Sequence, residues 1–217
     1  MRYLTVEKRA EDEFFEKKSQ FIGYIKRVTT EDEAKEFIAE IKSKHKDATH
    51  NCSAYVIGQN MNTQRYNDDG EPQGTAGIPI LEVIKKNEIT DCVIVVTRYF
   101  GGILLGTGGL NRAYTKGAAI AIKAAGIVEK VQGVEMDIIL DYDLLGKIQY
   151  LFGQNDWYME NIEYTDVVKI KMRSEISEKD NIIAKIVENT NGKAIIEQGD
   201  ILVYFKRGNR LLYNLEE

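Results

Sequence analysis

The stretch DCVIVVTRYFGGILLGTGGLNRAYTKGAAIAIKAAG, residues 91–126, carries the reading of the fold. Its first seven residues are almost all apolar and β-branched, which predicts a central strand buried on both faces. The next twelve, RYFGGILLGTGG, are glycine-rich and predict a loop. From about Leu110 an alanine-rich segment predicts a helix, stopped by Gly126. A strand, a glycine loop and a helix in this order place Arg98 at the strand's end and Arg112 on the helix's first turn.

Upstream, residues 14–25 (FFEKKSQFIGYI) read as extended chain. Thr30-Glu31-Asp32-Glu33 is a capping box that opens a helix. Ala34, Phe37, Ile38 and Ile41 follow at the spacing of one buried stripe, to about Lys46. CSAYVIG (52–58) predicts a short strand and QNMNTQRYN (59–67) a polar loop. Residues 78–86 suit a short helix, with Pro79 tolerated in its first turn.

Downstream the pattern changes. VEMDIILDY is an alternating strand, followed by a helix entered at Asp141 or Asp143. WYMENIEYT and VVKIKMR predict two more strands. A helix over 177–191 has Ser177 as its expected N-cap. KAIIEQ and ILVYFK predict strands separated by a Gly199-Asp200 turn. The order β-α-β-β-α-β is that of a ferredoxin-like unit. The expected division is into an α+β domain over 1–132 and a ferredoxin-like domain over 133–217.

Composition restricts the function classes. The chain has 217 residues and a net charge of −5, with no apolar run near the roughly 20 residues that span a bilayer. Residues 1–133 hold 19 Lys+Arg against 18 Asp+Glu, and residues 134–217 hold 10 against 16. A nucleic-acid contact therefore needs a local basic face on the first part. The N-terminus lacks the apolar stretch of a signal peptide, and two cysteines give no disulfide framework. These features predict a cytoplasmic protein with no membrane contact.

Eight of the 18 glycines fall within 68–77 and 101–109. Glycines there, namely Gly74, Gly101, Gly102, Gly108 and Gly109, let backbone N–H groups approach an anion. Arg98 and Arg112 are candidate phosphate clamps, and a pairing with Asp68, Asp69 or Glu71 is the structural alternative. Thr75 and His50 complete the expected binding set. Tyr99, Phe100 and Tyr114 flank the glycine loop, where they suit base stacking or core packing. Glu71 and Asp69 are the candidate acid–base groups if the protein is an enzyme.

Other motifs fail on inspection. Thr107 stands where a P-loop needs Lys, and Asn111 where a dinucleotide fingerprint needs its last glycine. An EF-hand aligned on Asp69-Gly70 would start at Arg65 and end at Ala76. His45 and His50 have no second ligand pair at a zinc spacing, so neither metal nor cofactor is expected. His50 and Cys52 share one strand face, as a Cys–His dyad or as core residues. There is no G-x-S-x-G.

KKSQFIGYI (17–25), ATHNCSAYVIG (48–58), NDDGEPQGTAGIPIL (67–81) and VTRYFGGILLGTGGLNRAY (96–114) resemble the YigZ/IMPACT family, in its bacterial two-domain form. The resemblance implies an N-terminal domain similar to domain IV of elongation factor G and a C-terminal domain similar to that factor's domain V. It further implies a role in translational control, with RNA, a ribosome or a protein as partner. Many members carry Lys where this chain has Leu104. The expectation is a regulatory protein that binds RNA or the ribosome. A hydrolase or transferase acting on a small anionic substrate, and a protein-interaction adaptor, are the alternatives.

Overall fold

A computed structural model describes residues 2–215 and separates them into two compact units, Tyr3–Val128 and Arg2 with 129–215. In the first unit, β2 (Ala10–Glu16), β3 (Ser19–Arg27), β4 (His50–Ile57), β5 (Thr63–Asn67) and β6 (Cys92–Tyr99) form an antiparallel sheet in the order β2-β3-β6-β4-β5. A further strand, β1 (Arg2–Val6), precedes them.

The apolar run of β6 is central, as its composition predicts. Val93 and Val95 face one layer, formed by α1 (Glu31–Lys44), with Phe37 and Ile41 against them. Cys92, Ile94 and Val96 face the other, formed by α2 (Gly77–Lys86) and α3 (Gly106–Ala125). Each fully buried aliphatic or aromatic side chain contributes about 1.5–3 kcal/mol of hydrophobic stabilisation. The capping box at Thr30 forms as read: Thr30 Oγ1 accepts from the Glu33 amide, and the Glu33 carboxylate accepts from the Thr30 amide.

Two expectations fail here. The polar segment 59–67 is not all loop, because Thr63–Asn67 pairs with β4 as an edge strand. An exposed edge needs backbone pairing but no apolar alternation, so the hydropathy signal is absent. The 101–109 segment is not all loop either, because α3 begins at Gly106 and takes Gly108 and Gly109 into its first turns. Glycine's helix penalty of about 1 kcal/mol masks that start in the sequence.

In the second unit, β7 (Ile127–Leu140), α4 (Tyr142–Asn155), β8 (Met159–Tyr164), β9 (Val168–Glu175), α5 (Lys179–Thr190) and β10 (Ile195–Arg207) follow in the expected β-α-β-β-α-β order. A short β11 (Arg210–Leu212) closes the chain, and the strand path is β11-β10-β7-β9-β8. Met136, Ile138, Ile170 and Met172 pack one sheet face against Ile148, Phe152, Ile182 and Ile186 of the two helices. The opposite face is laced with ion pairs: Lys169–Asp137 at 2.9 Å, Lys171–Glu135 at 3.0 Å and Arg173–Glu135 at 3.1 Å.

The two compact units divide between Val128 and Glu129, and the single strand β7 runs from Ile127 through the expected 132/133 boundary. The Gly199-Asp200 turn is also absent. Three steps on β10, from Gln198 to Ile201, span two on β7, from Met136 to Val134, so the extra residue is a bulge in one long strand. The fourteen-residue β7 offers a continuous partner that overrides the turn signal. Glu178, not Ser177, is the N-cap of α5.

Candidate functional site

Strand register sets the floor of the site. Phe21 on β3 and His50 on β4 both lie opposite Arg98 on β6, so the three residues form a row across the sheet. The loop 68–76 folds over that row. Asp68 anchors it by accepting from the backbone amides of Gly74 (2.8 Å), Ala76 (3.0 Å) and Gly77 (2.7 Å), which fixes the start of α2. Asp69, in the left-handed region at φ 46°, accepts from Lys42 Nζ at 2.5 Å and the Asn51 amide at 2.6 Å.

Glu71 descends into the core, its side chain 3 % exposed. Its Oε1 accepts from Arg98 Nη1 at 2.6 Å and from the Tyr114 hydroxyl at 2.7 Å. Its Oε2 lies 3.8 Å from His50 Nε2. His50 Nδ1 is 2.8 Å from the Asp69 carbonyl, which can only accept, so that nitrogen is the donor. Arg98 is itself buried, with Phe21 and Phe100 over its guanidinium at 5.5 and 5.4 Å.

Two hollows adjoin this cluster. The first, about 420 Å³, is walled by Pro72, Phe100, Leu104, Leu105 and Leu110, and Arg98, His50 and Glu71 also line it. The second, about 440 Å³, is lined by Gly74, Thr75, Thr107, Gly108, Asn111 and Arg112. Thr107 lines both, and it stands in the first turn of α3, whose N-cap Leu105 supplies no side-chain cap. The amides of that turn are left available to a ligand, and the helix dipole favours negative charge there.

The predicted residues therefore separate. The loops 68–77 and 98–109 converge as expected. Arg98 and Arg112 play different parts: Arg98 is a buried partner of Glu71, whereas Arg112 is exposed and makes no ion pair or hydrogen bond among the described residues. Tyr99 lies on the opposite sheet face, its hydroxyl 2.8 Å from His45 Nδ1. Strand alternation after Arg98 is the sequence signal for that placement. Tyr114 is fully buried and no stacking surface, and only Phe100 of the three aromatics is exposed.

The predicted glycines differ in the same way. Gly101 packs against the Lys18 backbone, which a Cβ would approach to 2.0 Å, so it serves chain packing rather than a ligand. Gly102, at φ 83°, has open space around it. The Thr75 hydroxyl donates to the Pro72 carbonyl at 2.6 Å. The wall residues Pro72, Leu105 and Leu110 escaped the sequence reading because single apolar residues carry no site signal.

The Cys–His dyad does not form. The Cys52 thiol donates to the Asp68 carbonyl at 2.9 Å, and burial pushes its pKa well above the ordinary thiol range. Burial, reinforced by Cys52 and Glu71, likewise raises the Tyr114 phenol. Among the described residues no group of three His, Cys, Asp or Glu side chains is arranged to hold a metal ion.

Comparison with known proteins places this geometry. Residues 17–122, which contain both hollows, match the Impact N-terminal domain, and residues 138–193 match a domain of unknown function, DUF1949. IMPACT family member YvyE of Bacillus subtilis is 44 % identical over 209 residues, covering 96 % of each chain. The chain belongs to the IMPACT family. The IMPACT family member YigZ of Escherichia coli is 34 % identical, over 81 % of this chain and 87 % of its own. A Protein IMPACT homolog of Dictyostelium discoideum is 40 % identical over 95 residues, 42 % of this chain and 27 % of its own. A crystal structure described as that of a hypothetical protein aligns with a TM-score of 0.57 at 30 % identity, covering 90 % of this chain and 96 % of that one. Among the described residues no helix is long and apolar enough to cross a membrane.

Proposed function

We propose that this IMPACT-family chain is a regulatory binding protein of the translation machinery that contacts single-stranded RNA, on its own or within the ribosome, through the two hollows. The observation that carries the reading is their adjacency at Thr107. One side offers an apolar slot with an exposed aromatic ring, and the other offers uncapped helix amides and the exposed Arg112. A nucleotide has that same division, a flat base joined to an anion. The acidic second unit, whose basic strand residues are paired with carboxylates, is not the contact face in this reading.

The candidate acid–base groups do different work here. Asp69 is tied to Lys42 and Asn51, and Glu71 to Arg98 and Tyr114, so both brace the loop. The adaptor reading keeps one supporting observation, the exposure of Ile103, Leu104 and Phe100 side by side with the slot.

The test is binding of a labelled single-stranded RNA, with ribosome co-sedimentation, over a salt series. Affinity falls steeply with salt, and Arg112→Ala weakens it and lowers the log–log slope by about 1. An unchanged slope in Arg112→Ala removes the phosphate contact. Salt-insensitive capture of a protein, lost on Leu104→Ala, points to the adaptor instead.

A further inference from the structure

Arg98 uses only part of its donor set. Nη1 donates to Glu71, Nε is buried without a partner, and Nη2 donates to no described group. In a planar guanidinium the Nε–H and Nη2–H bonds run parallel along one edge, a fork that takes two adjacent acceptors. The Phe21 and Phe100 rings lie 5.5 and 5.4 Å from the guanidinium carbon, so aromatic carbon rather than water surrounds much of the group. Arg98 also lines the apolar-walled hollow, so a guanidinium with an unsatisfied buried N–H stands at the base of a largely hydrophobic slot.

Charge decides what that edge accepts. Glu71 already neutralises Arg98 inside the protein. A carboxylate or phosphate on the fork would leave one buried negative charge in excess, which is strongly disfavoured. A neutral group with two neighbouring acceptors satisfies the fork and leaves the pair balanced. Its body must be flat and largely apolar to lie against Phe100, Leu104 and Leu110.

We propose that the slot reads one unstacked nucleobase through the Nε/Nη2 edge of Arg98, selecting a base with two adjacent acceptors. Guanine offers O6 and N7, and cytosine offers O2 and N3. Adenine sets its N6 amino donor beside both N1 and N7, and uracil interrupts its two carbonyls with N3–H. This rests on the RNA reading above and adds base selectivity to it.

The experiment measures anisotropy of labelled oligouridylate, and of the same oligomer carrying one central G, C or A, against the full chain. A G or C insertion tightens binding by about tenfold over U, while A does not. Where G is selected, 7-deazaguanine, which lacks the N7 acceptor, returns affinity to the U level. Arg98→Lys keeps a cation beside Glu71 and removes the fork. Its base preference disappears while salt-dependent RNA binding persists, with thermal unfolding used to check its fold. Should that variant not fold, the oligomer series alone decides. Equal affinity for all four oligomers, or a preference for A or U, overturns the base-reading assignment and leaves the RNA reading standing. Failure of every oligomer to bind in low salt overturns both.

Discussion

At the scale of single residues, Glu71 holds the site together. It is buried, and among the described residues its carboxylate accepts from Arg98 and Tyr114, with His50 nearby. Glu71→Gln leaves the Arg98 guanidinium buried and uncompensated, which costs about 3–5 kcal/mol. Urea unfolding of this variant should therefore show a much lower midpoint than Asp69→Asn, whose partly exposed ion pair with Lys42 contributes about 1 kcal/mol or less. Similar midpoints for the two would remove Glu71 from its bracing role. The thiols supply a second check. Cys52 and Cys92 are both buried with pKa values raised chiefly by burial, so a thiol reagent at pH 8 should label neither until the chain unfolds. Part of this was readable beforehand. The spacing of DDGEP and the glycine loop marked where the loops meet, and the pairing of arginine with a nearby carboxylate stood as an open alternative. That Glu71 reaches Arg98 while Asp68 and Asp69 turn elsewhere depends on backbone geometry, including the left-handed Asp69, which no spacing of residue types encodes.

At the scale of elements, close backbone approach sets where α3 lies and thus where its open N-terminus points. A Cβ on Gly23 of β3 would come within 2.2 Å of the Gly117 carbonyl, and one on Gly117 within 2.8 Å of Val96. Gly23→Ala therefore forces helix and sheet apart, with a loss of about 1–3 kcal/mol in chemical denaturation. Wild-type stability in this variant would show that the contact can yield. Gly102, which faces open space, is the contrasting position, although its φ of 83° strains any side chain modestly. Helices with strong local signals were legible: the capping box at Thr30 and the stripe of Ala34, Phe37 and Ile41 mark α1 without any tertiary information. The start of α3, the edge strand β5 and the β10 bulge were not. In each, tertiary pairing outweighs a local preference that points elsewhere: glycine against helix, polar residues against strand, Gly-Asp for a turn.

At the scale of the whole molecule, pH couples to stability through a group on the sheet face opposite the two hollows. His45 is buried, its Nε2 2.6 Å from the Tyr24 hydroxyl and its Nδ1 2.8 Å from that of Tyr99. Burial, with the nearby Lys44 charge, lowers its pKa from the usual 6.5, and a small opposing contribution comes from Glu11. The unfolded chain then binds a proton at higher pH than the folded one, so stability rises with pH across this window. The favourable contribution is complete above about 6.5 and is lost as pH falls through the lower, folded value. Carboxylates act in the same direction further down. Hydrogen bonding from Arg2 holds Glu129 below its usual 4.5, and bonds from Lys171 and Arg173 outweigh burial to do the same for Glu135. Their contribution fades as pH drops below about 4.5. Urea midpoints should therefore decline in two steps on acidification, the first below neutrality and the second below the ordinary carboxylate range. His45→Gln retains a polar group between the two tyrosines and removes the titration, so it should flatten the first step and leave the second. If the first decline is undiminished in His45→Gln, its origin lies outside the Tyr24–His45–Tyr99 chain, and the buried histidine is uncoupled from folding.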